Sequence, residues 1–196
     1  MKHPLSLALL SLLLASCTAA TSGPHSLPLQ ERLRNPLVAE RYWAEMAEHM
    51  ANFVRLKDPM MNDPAKAAVI EAERTRALDR VAQARKLKHE GMIGLFAKPA
   101  GEDTEGEVLL RGNTLSFGTS FLSYPNPSVR VYLTTIIDPR DAQFPDDTSI
   151  DLGPLQTAYG PQEYAVPEGQ MNEEFRTAVL YDTKLERLIG FAQLSR

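Results

Sequence analysis

The sequence has a single cysteine, Cys17, among its 196 residues. One thiol cannot form a disulfide within the chain, and it cannot supply the paired cysteines of a zinc or iron–sulfur site. If Cys17 is used up by a modification, no thiol is left for nucleophilic or redox chemistry. No paired Cys/His metal motif occurs elsewhere, so no metal site is predicted.

A basic excess is also missing. The chain carries 21 Lys and Arg against 25 Asp and Glu, which gives a formal net charge of −4. Binding to a phosphate backbone depends on a concentration of positive charge that this composition does not provide. Nucleic acid is therefore not an expected partner.

An apolar run of bilayer length is missing as well. Lys2 and His3 precede the apolar residues 4–15, which fall short of the roughly 20 residues that a transmembrane helix needs. A short basic start and a short apolar run are typical of a signal peptide. Residues 1–17 end in Leu-Ala-Ser-Cys, which resembles the lipobox of bacterial lipoproteins.

The lipobox resemblance implies that Cys17 is lipidated and becomes the new N-terminus after cleavage. Several acyl chains, palmitate among them, would hold the protein stably, since each buried methylene contributes about 0.8 kcal/mol. The implied location is the cell membrane or outer membrane, facing the periplasm or the exterior. The alternative is a plain secretory signal in which Cys17 has no role.

Residues 18–34 are predicted to be a tether, and residues 35–91 a helical hairpin. Asn35-Pro36 and Asp63-Pro64 each combine a good N-cap with a proline at the first helical position. An apolar stripe is expected to bury one side of the first helix, formed by Val38, Tyr42, Met46, Met50, Phe53 and Val54. The hairpin either packs as a layer on the following domain or serves as a partner-binding arm.

From residue 92 the pattern is typical of short strands and turns. Two apolar runs flank Gly112-Asn113, which indicates a hairpin. Residues 129–134 alternate between apolar and polar, and two further apolar runs flank Thr183-Lys184. The predicted fold class is therefore α+β, with the helical hairpin followed by an antiparallel β-sandwich or barrel over residues 92–196.

Spaced glycine, proline, aromatic and aliphatic residues recur through this domain in a distinctive order: Gly106, Phe121, Pro127, Val131, Tyr132, Leu133, Leu152, Gly153, Pro154, Leu155, Gly160, Gln162, Tyr164, Pro167, Gly190, Ala192 and Leu194. This order resembles the DM13 family, which is named for suspected electron transfer. The resemblance covers about the last 90 residues and leaves out the helical segment. Family members usually carry an aromatic–cysteine pair near the end of the strand after this signature, and the implied redox chemistry rests on that cysteine.

Here the pair is Tyr181-Asp182. A carboxylate cannot cycle through a disulfide or a sulfenic acid, and it is a poor haem ligand. The glycines, prolines and tyrosines of residues 151–169 are interpreted mainly as scaffold, with Gln162 as the expected partner of the Tyr164 hydroxyl. The alternative is a ligand-binding face formed by Tyr159, Gln162, Tyr164, Tyr181 and Asp182.

No catalytic set is apparent. All four histidines precede residue 90, so the serines of the β domain have no histidine beside them in the sequence. Asp147, Ser149 and Asp151 resemble part of a calcium loop, but the glycine and glutamate of an EF-hand are absent and a solvated acidic loop is favoured.

The sequence thus favours a lipid-anchored, extracytoplasmic binding or interaction module without evident catalysis. Its partners would be the membrane, through Cys17, and an unidentified protein or small ligand. The alternative is an electron-transfer protein in which Tyr132, Tyr164, Tyr181 or Met171 contacts a bound cofactor. The sequence names no particular cofactor.

Overall fold

A computed structural model describes residues 28–196, so Cys17 and the predicted signal peptide lie outside the described residues. Three helices come first: α1 (Leu29–Arg32), α2 (Pro36–Arg55) and α3 (Pro64–His89). The Asn35 side chain accepts from the Leu37 N–H, and the Asp63 side chain accepts from the N–H groups after it, as the capping pattern predicts. α1 lies within residues 18–34, the predicted tether.

Ten strands follow. They are β1 (Met92–Ala97), β2 (Thr104–Glu105), β3 (Glu107–Arg111), β4 (Thr114–Phe117), β5 (Leu122–Ser123), β6 (Val129–Thr134), β7 (Ile150–Pro154), β8 (Glu163–Ala165), β9 (Thr177–Asp182) and β10 (Arg187–Gln193). Eight form a nearly closed antiparallel sheet in the order β7-β6-β9-β10-β1-β3-β4-β8, while β2 and β5 pair separately. The predicted class of helices followed by an antiparallel sandwich or barrel is confirmed.

Local sequence explains both predicted β-hairpins. β3 and β4 pair with Arg111 opposite Thr114, and Gly112 supplies a φ of +55° at the first turn position. β9 and β10 pair with Asp182 opposite Arg187 across a four-residue turn. Each hairpin places alternate side chains on the inner face of the sheet, where they form the main core.

The inner core holds aliphatic side chains from most strands and a group of aromatic rings. Phe117 lies at the centre of this group, with ring centroids 5.2 Å from Phe96, 4.7 Å from Phe121 and 5.5 Å from Tyr164. Contacts at these separations add to the stabilisation from burying each ring. A second, smaller cluster of Tyr132, Val179 and Phe191 lies on the opposite face of the sheet.

The helical hairpin is joined to the sheet at its base. Asn35 Nδ2 donates to the Phe117 carbonyl at 3.0 Å, and Lys88 Nζ lies 2.8 Å from Glu107 Oε1 and 2.7 Å from Glu40 Oε2. The Lys88 side chain is 16% exposed, so this ion pair network is half-buried. These contacts place the start of α2 and the end of α3 against the sheet.

The stripe predicted along α2 is only partly buried. Val38 is buried, but Tyr42, Met46, Met50 and Phe53 are only partly so, and Val54 is 46% exposed. The reason is that the buried residues of α2 are concentrated at its first turn, where it meets the sheet, with Ala47 added further along. On α3 the buried positions are Ile70, Ala77, Val81 and Ala84, a narrow seam that covers little of α2.

None of the helices within residues 28–196 is both long enough and apolar enough to cross a lipid bilayer.

Candidate functional site

Gln162, just before β8, and Tyr164, within β8, form a buried polar pair. The Tyr164 hydroxyl donates to Gln162 Oε1 at 2.6 Å, which confirms the predicted partnership. Gln162 Oε1 also accepts from the N–H groups of Gln156 and Thr157, and its Nε2 donates to the Thr157 carbonyl at 2.8 Å. The two side chains hold the segment before β8 in place through these bonds.

The environment of Tyr164 keeps its phenol neutral. Burial raises the pKa of Tyr164 to about 12, against a small opposing effect of the hydrogen bond from the Gln156 N–H. The side chains of Gln162 and Tyr164 are 5% and 4% exposed. Neither is open to a ligand approaching from the solvent.

Tyr159 lies in the turn that precedes these residues. It is 54% exposed, and its backbone forms an isolated bridge to Leu122. Thr157 Oγ1 donates to the Tyr159 carbonyl and accepts from the Tyr159 N–H, which fixes the turn without using the phenol. Of the predicted face, Tyr159 is the residue with a freely accessible side chain.

Asp182 ends β9 and is fully buried. Its Oδ1 accepts from the N–H groups of Lys184 at 2.8 Å and Leu185 at 3.0 Å, and its Oδ2 accepts from the Ser128 N–H at 3.0 Å. Burial acts to raise the pKa of Asp182, but these three backbone hydrogen bonds outweigh it and hold that pKa below the usual range. The carboxylate thus caps the β9–β10 turn and ties it to the start of β6.

Tyr181 points to the other face of the sheet, into the aromatic cluster there. Its ring centroid is 5.3 Å from Phe144 and 6.5 Å from Tyr132, and Tyr132 lies 5.4 Å from Phe144. Burial raises the pKa values of both Tyr181 and Tyr132. Successive residues of a strand face opposite sides, so Tyr181 and Asp182 cannot belong to one surface.

The five residues predicted to share a ligand-binding face therefore lie in separate environments. The structure brings Gln162 and Tyr164 together in the core, leaves Tyr159 exposed, and assigns Tyr181 and Asp182 to opposite faces of β9. Met171 packs at the margin of the core. The face as one continuous surface is not formed.

The sequence did not predict that an arginine side chain packs over the aromatic rings on the outer face of the sheet. A turn at Pro139–Asp141 brings the Arg140 guanidinium over the Phe191 ring, 5.1 Å from its centroid. Arg140 is held there by Asp138, whose oxygens accept from Arg140 Nε and Nη2. The sequence carries no local signal for this contact, since Arg140 and Phe191 are about 50 residues apart.

Beside Arg140 an open cleft of about 630 Å³ runs along the outer face of β1 and β10. Ile93, Leu95 and Phe191 form an apolar floor, and Leu95 is 71% exposed. His89 and Arg140 stand at the rim with Arg196. Gln193 and Ser195 also line the cleft, so it offers a small ligand both apolar and polar contacts.

The acidic side chains between β6 and β7 bond to residues of the loop and of the two flanking strands. Asp146 accepts from the hydroxyls of Thr134, Thr148 and Ser149, while Asp151 accepts from Arg130 Nε at 2.6 Å. Throughout residues 28–196 there is no group of three or more His, Cys, Asp or Glu side chains placed to hold a metal ion.

The serines of the β domain also serve local structure. Ser116 Oγ donates to Glu163 Oε1 at 3.0 Å, and Ser123 Oγ donates to the Tyr124 carbonyl at 3.3 Å. Within residues 28–196, neither hydroxyl is hydrogen-bonded to an imidazole that could accept its proton.

Comparison with known proteins gave one family. The family model described as Electron transfer DM13 matches residues 96–194, which is just over half of the chain and runs from the last two residues of β1 to just past β10. No curated protein and no solved structure matches the chain significantly.

Proposed function

The chain belongs to the Electron transfer DM13 family, and from that premise we propose that it is a non-catalytic, lipid-anchored, extracytoplasmic binding module. In this proposal the β domain binds an unidentified small ligand or protein, and Cys17 carries the lipid that holds the domain at a membrane.

The hydrogen bonds and the burial of Asp182 are the observation that supports a function without redox chemistry. This residue stands where the family resemblance implies a cysteine. Both of its oxygens are occupied by backbone N–H groups, and its side chain is fully buried. A carboxylate that is fully buried and accepts three backbone N–H bonds supports the turn and is not open to a metal or a haem, so the residues present do not fit the family's thiol chemistry.

The sequence before the described residues supports the anchor. A short basic start, an apolar run and Leu-Ala-Ser-Cys occur in the order that a lipoprotein signal requires. Small polar residues follow at 18–27, before the first described helix. Such composition suits a spacer between a lipid and a domain.

The cleft along β1 and β10 supports the binding role. It combines the exposed Leu95 side chain with a guanidinium that is fixed over an aromatic ring. Asp138 takes Arg140 Nε and Nη2, which leaves Nη1 without a hydrogen bond to any residue in 28–196. An apolar ligand with a hydrogen-bond acceptor could use both features.

Mass spectrometry of the mature protein, exported by its own host, tests the anchor. The expected mass is that of residues 17–196 with acyl chains on Cys17, and Cys17→Ala should abolish both cleavage and membrane retention. Release of an unacylated protein into the soluble fraction would contradict the anchor.

Binding of anilinonaphthalene sulfonate, a fluorescent probe with apolar rings and an anionic group, tests the cleft. Leu95→Asp should remove the fluorescence of the bound probe. The control is Leu185→Asp, at a residue that is 54% exposed in the β9–β10 turn, and it should leave the fluorescence in place. Equal fluorescence from the two variants would argue against the cleft.

Electron transfer is the second candidate, and one observation favours it. Tyr132, Phe144 and Tyr181 form a run of rings in edge contact on the outer face of the sheet. A bound chromophore next to these rings would give the purified protein visible absorption that changes with a reductant. A colourless protein with no bound mass in native mass spectrometry would remove this candidate.

A further inference from the structure

The far end of the helical hairpin carries a group of exposed apolar side chains. Val54, Leu56, Met60 and Val69 are 46%, 74%, 40% and 61% exposed. They lie in the last turn of α2, in the connection and in the first two turns of α3. We call these four residues the hairpin tip.

The tip is an ordered structure. Asp58 caps a 3-10 turn at Pro59–Asn62 by accepting from the Met60 N–H at 2.9 Å, and Asp63 caps α3. Lys57 takes up a φ of +54°, which ends α2 and turns the chain beside Leu56. A fixed turn therefore holds the apolar side chains outward.

The base contacts described above, from Asn35, Lys88 and Glu107, hold the opposite end of the hairpin against the sheet. α2 has 20 residues, and at 1.5 Å per residue the tip lies about 30 Å from Asn35 along the helix. The hairpin is thus a spacer between the tip and the β domain.

The small area of the tip limits what can cover it. A stable protein interface buries roughly 800 Å² on each partner, and four partly exposed side chains provide a few hundred Å² at most. A lipid surface requires no such area, because a few apolar side chains can enter the region between headgroups and acyl chains. Lys57 is exposed beside Leu56 and suits the headgroup layer, whereas Arg55 and Lys66 at the same end are paired with Glu48 and Asp63.

The length of chain before the described residues fits the same arrangement. Residues 18–28 can extend to about 36 Å. This reach exceeds the length of α2, so a lipid on Cys17 and the hairpin tip can lie in one membrane while the chain enters at the base of the hairpin.

We propose that the hairpin tip inserts shallowly into the membrane that holds the lipid on Cys17 and keeps the β domain about 30 Å above it. This proposal rests on the anchor that is part of the proposed function. The lipid holds the protein at the membrane, and the tip sets the orientation and height of the domain.

Depth-dependent fluorescence quenching tests the proposal on the acylated full-length mature protein in phosphatidylglycerol–phosphatidylcholine vesicles. Acylation leaves no free thiol, so Leu56→Cys gives a single labelling site. A fluorophore there should be quenched by lipids brominated on their upper acyl carbons. The matched control is Leu78→Cys, a site 50% exposed in the middle of α3, which should not be quenched.

Shortening the chain before the hairpin provides the second measurement. Deletion of residues 19–24 leaves five residues, 18 and 25–28, with a reach of about 17 Å. Quenching at position 56 should then be lost, and six Gly and Ser residues inserted in place of the deletion should restore it.

The two proposals fail in different ways. A mass without acyl chains on Cys17 would overturn the anchor and the tip together. Acylated protein with equal quenching at positions 56 and 78, or quenching that survives the deletion, would overturn the tip proposal and leave the anchor in place.

Discussion

Substitution of Asp182 by asparagine should destabilise the β domain although the two side chains have the same shape. The carboxylate accepts three backbone N–H bonds from Ser128, Lys184 and Leu185. The amide in Asp182→Asn has one oxygen, which can keep the bonds from Lys184 and Leu185. Its NH2 group then faces the Ser128 N–H, so two donors meet in a buried position.

The expected cost follows from that loss. A buried donor without an acceptor costs about 1–3 kcal/mol, and hydrogen bonds to a charged acceptor lie at the upper end of the range. We therefore expect the free energy of unfolding to fall by roughly 2–3 kcal/mol at neutral pH. For a chain of this length that corresponds to a drop in Tm of about 5–10 °C.

The pH dependence gives a second readout. The pKa of Asp182 is lowered in the folded state, so the unfolded state binds more protons over the range between the two pKa values. The stabilisation from the carboxylate is then fully present above the unfolded pKa, near 3.9, and is lost as the pH falls through the folded pKa. The difference between wild type and Asp182→Asn should shrink in that range.

Urea denaturation followed by circular dichroism, at neutral pH and at acid pH, measures both effects. Asp147→Asn is the matched control, because Asp147 is exposed and its side chain bonds to none of residues 28–196. A loss below 0.5 kcal/mol at neutral pH, or a difference from wild type that does not shrink in acid, would show that Asp182 does not cap the turn as described.

Three further outcomes are expected. Titration followed by ultraviolet absorbance should show the Tyr164 phenol ionising near pH 12, with stability lost as the pH rises above the unfolded value of about 10. Tyr164→Phe should remove this step and leave the raised pKa values of Tyr132 and Tyr181 in place. In urea denaturation, Gly106→Ala should lower the free energy of unfolding by at least about 2 kcal/mol more than Gly169→Ala. Both glycines have a positive φ, but of the two only Gly106 would place a Cβ 2.6 Å from a backbone atom. Equal losses from the two variants would contradict this close approach. Lys88→Met should lower stability by about 1 kcal/mol, because the carboxylate of Glu107 loses its partner. Hydrogen exchange in the first turn of α2 should become faster, and unchanged exchange would mean that the base of the hairpin is held by other contacts.

The parts of the fold that were predictable from sequence depend on local chemistry. Asn35-Pro36 and Asp63-Pro64 mark helix starts because the cap and the first turn are adjacent in the chain. Gly112 marks a hairpin for the same reason, since a positive φ is required at that single position. Short-range signals of this kind do not depend on what the rest of the chain does.

Long-range pairing was not predictable in the same way. The sequence indicated strands but gave no order for them, and the short β2–β5 pair had no signal of its own. The α2 stripe was overestimated because the partner helix uses alanines at its seam, which leaves Met46 and Phe53 partly open.

The candidate site shows the same division. The Gln162–Tyr164 bond was predictable, because the two residues are close in sequence and a buried hydroxyl needs a partner. The cap formed by Asp182 depends on Ser128, which is 54 residues away. A face that combined Tyr181 with Asp182 conflicts with the alternation of side chains along β9.

The position of β10 between β9 and β1 bears on how the protein is made. β1 pairs with β10 through Phe96 and Ala192, which are nearly 100 residues apart, so the central seam of the sheet cannot form until the last strand has been synthesised. Pairing at such separation is intrinsically slow. A chain that is still emerging therefore lacks a completed core. Loss of β10 alone would split the sheet into two parts, because β9 would keep only β6 as a partner and β1 only β3.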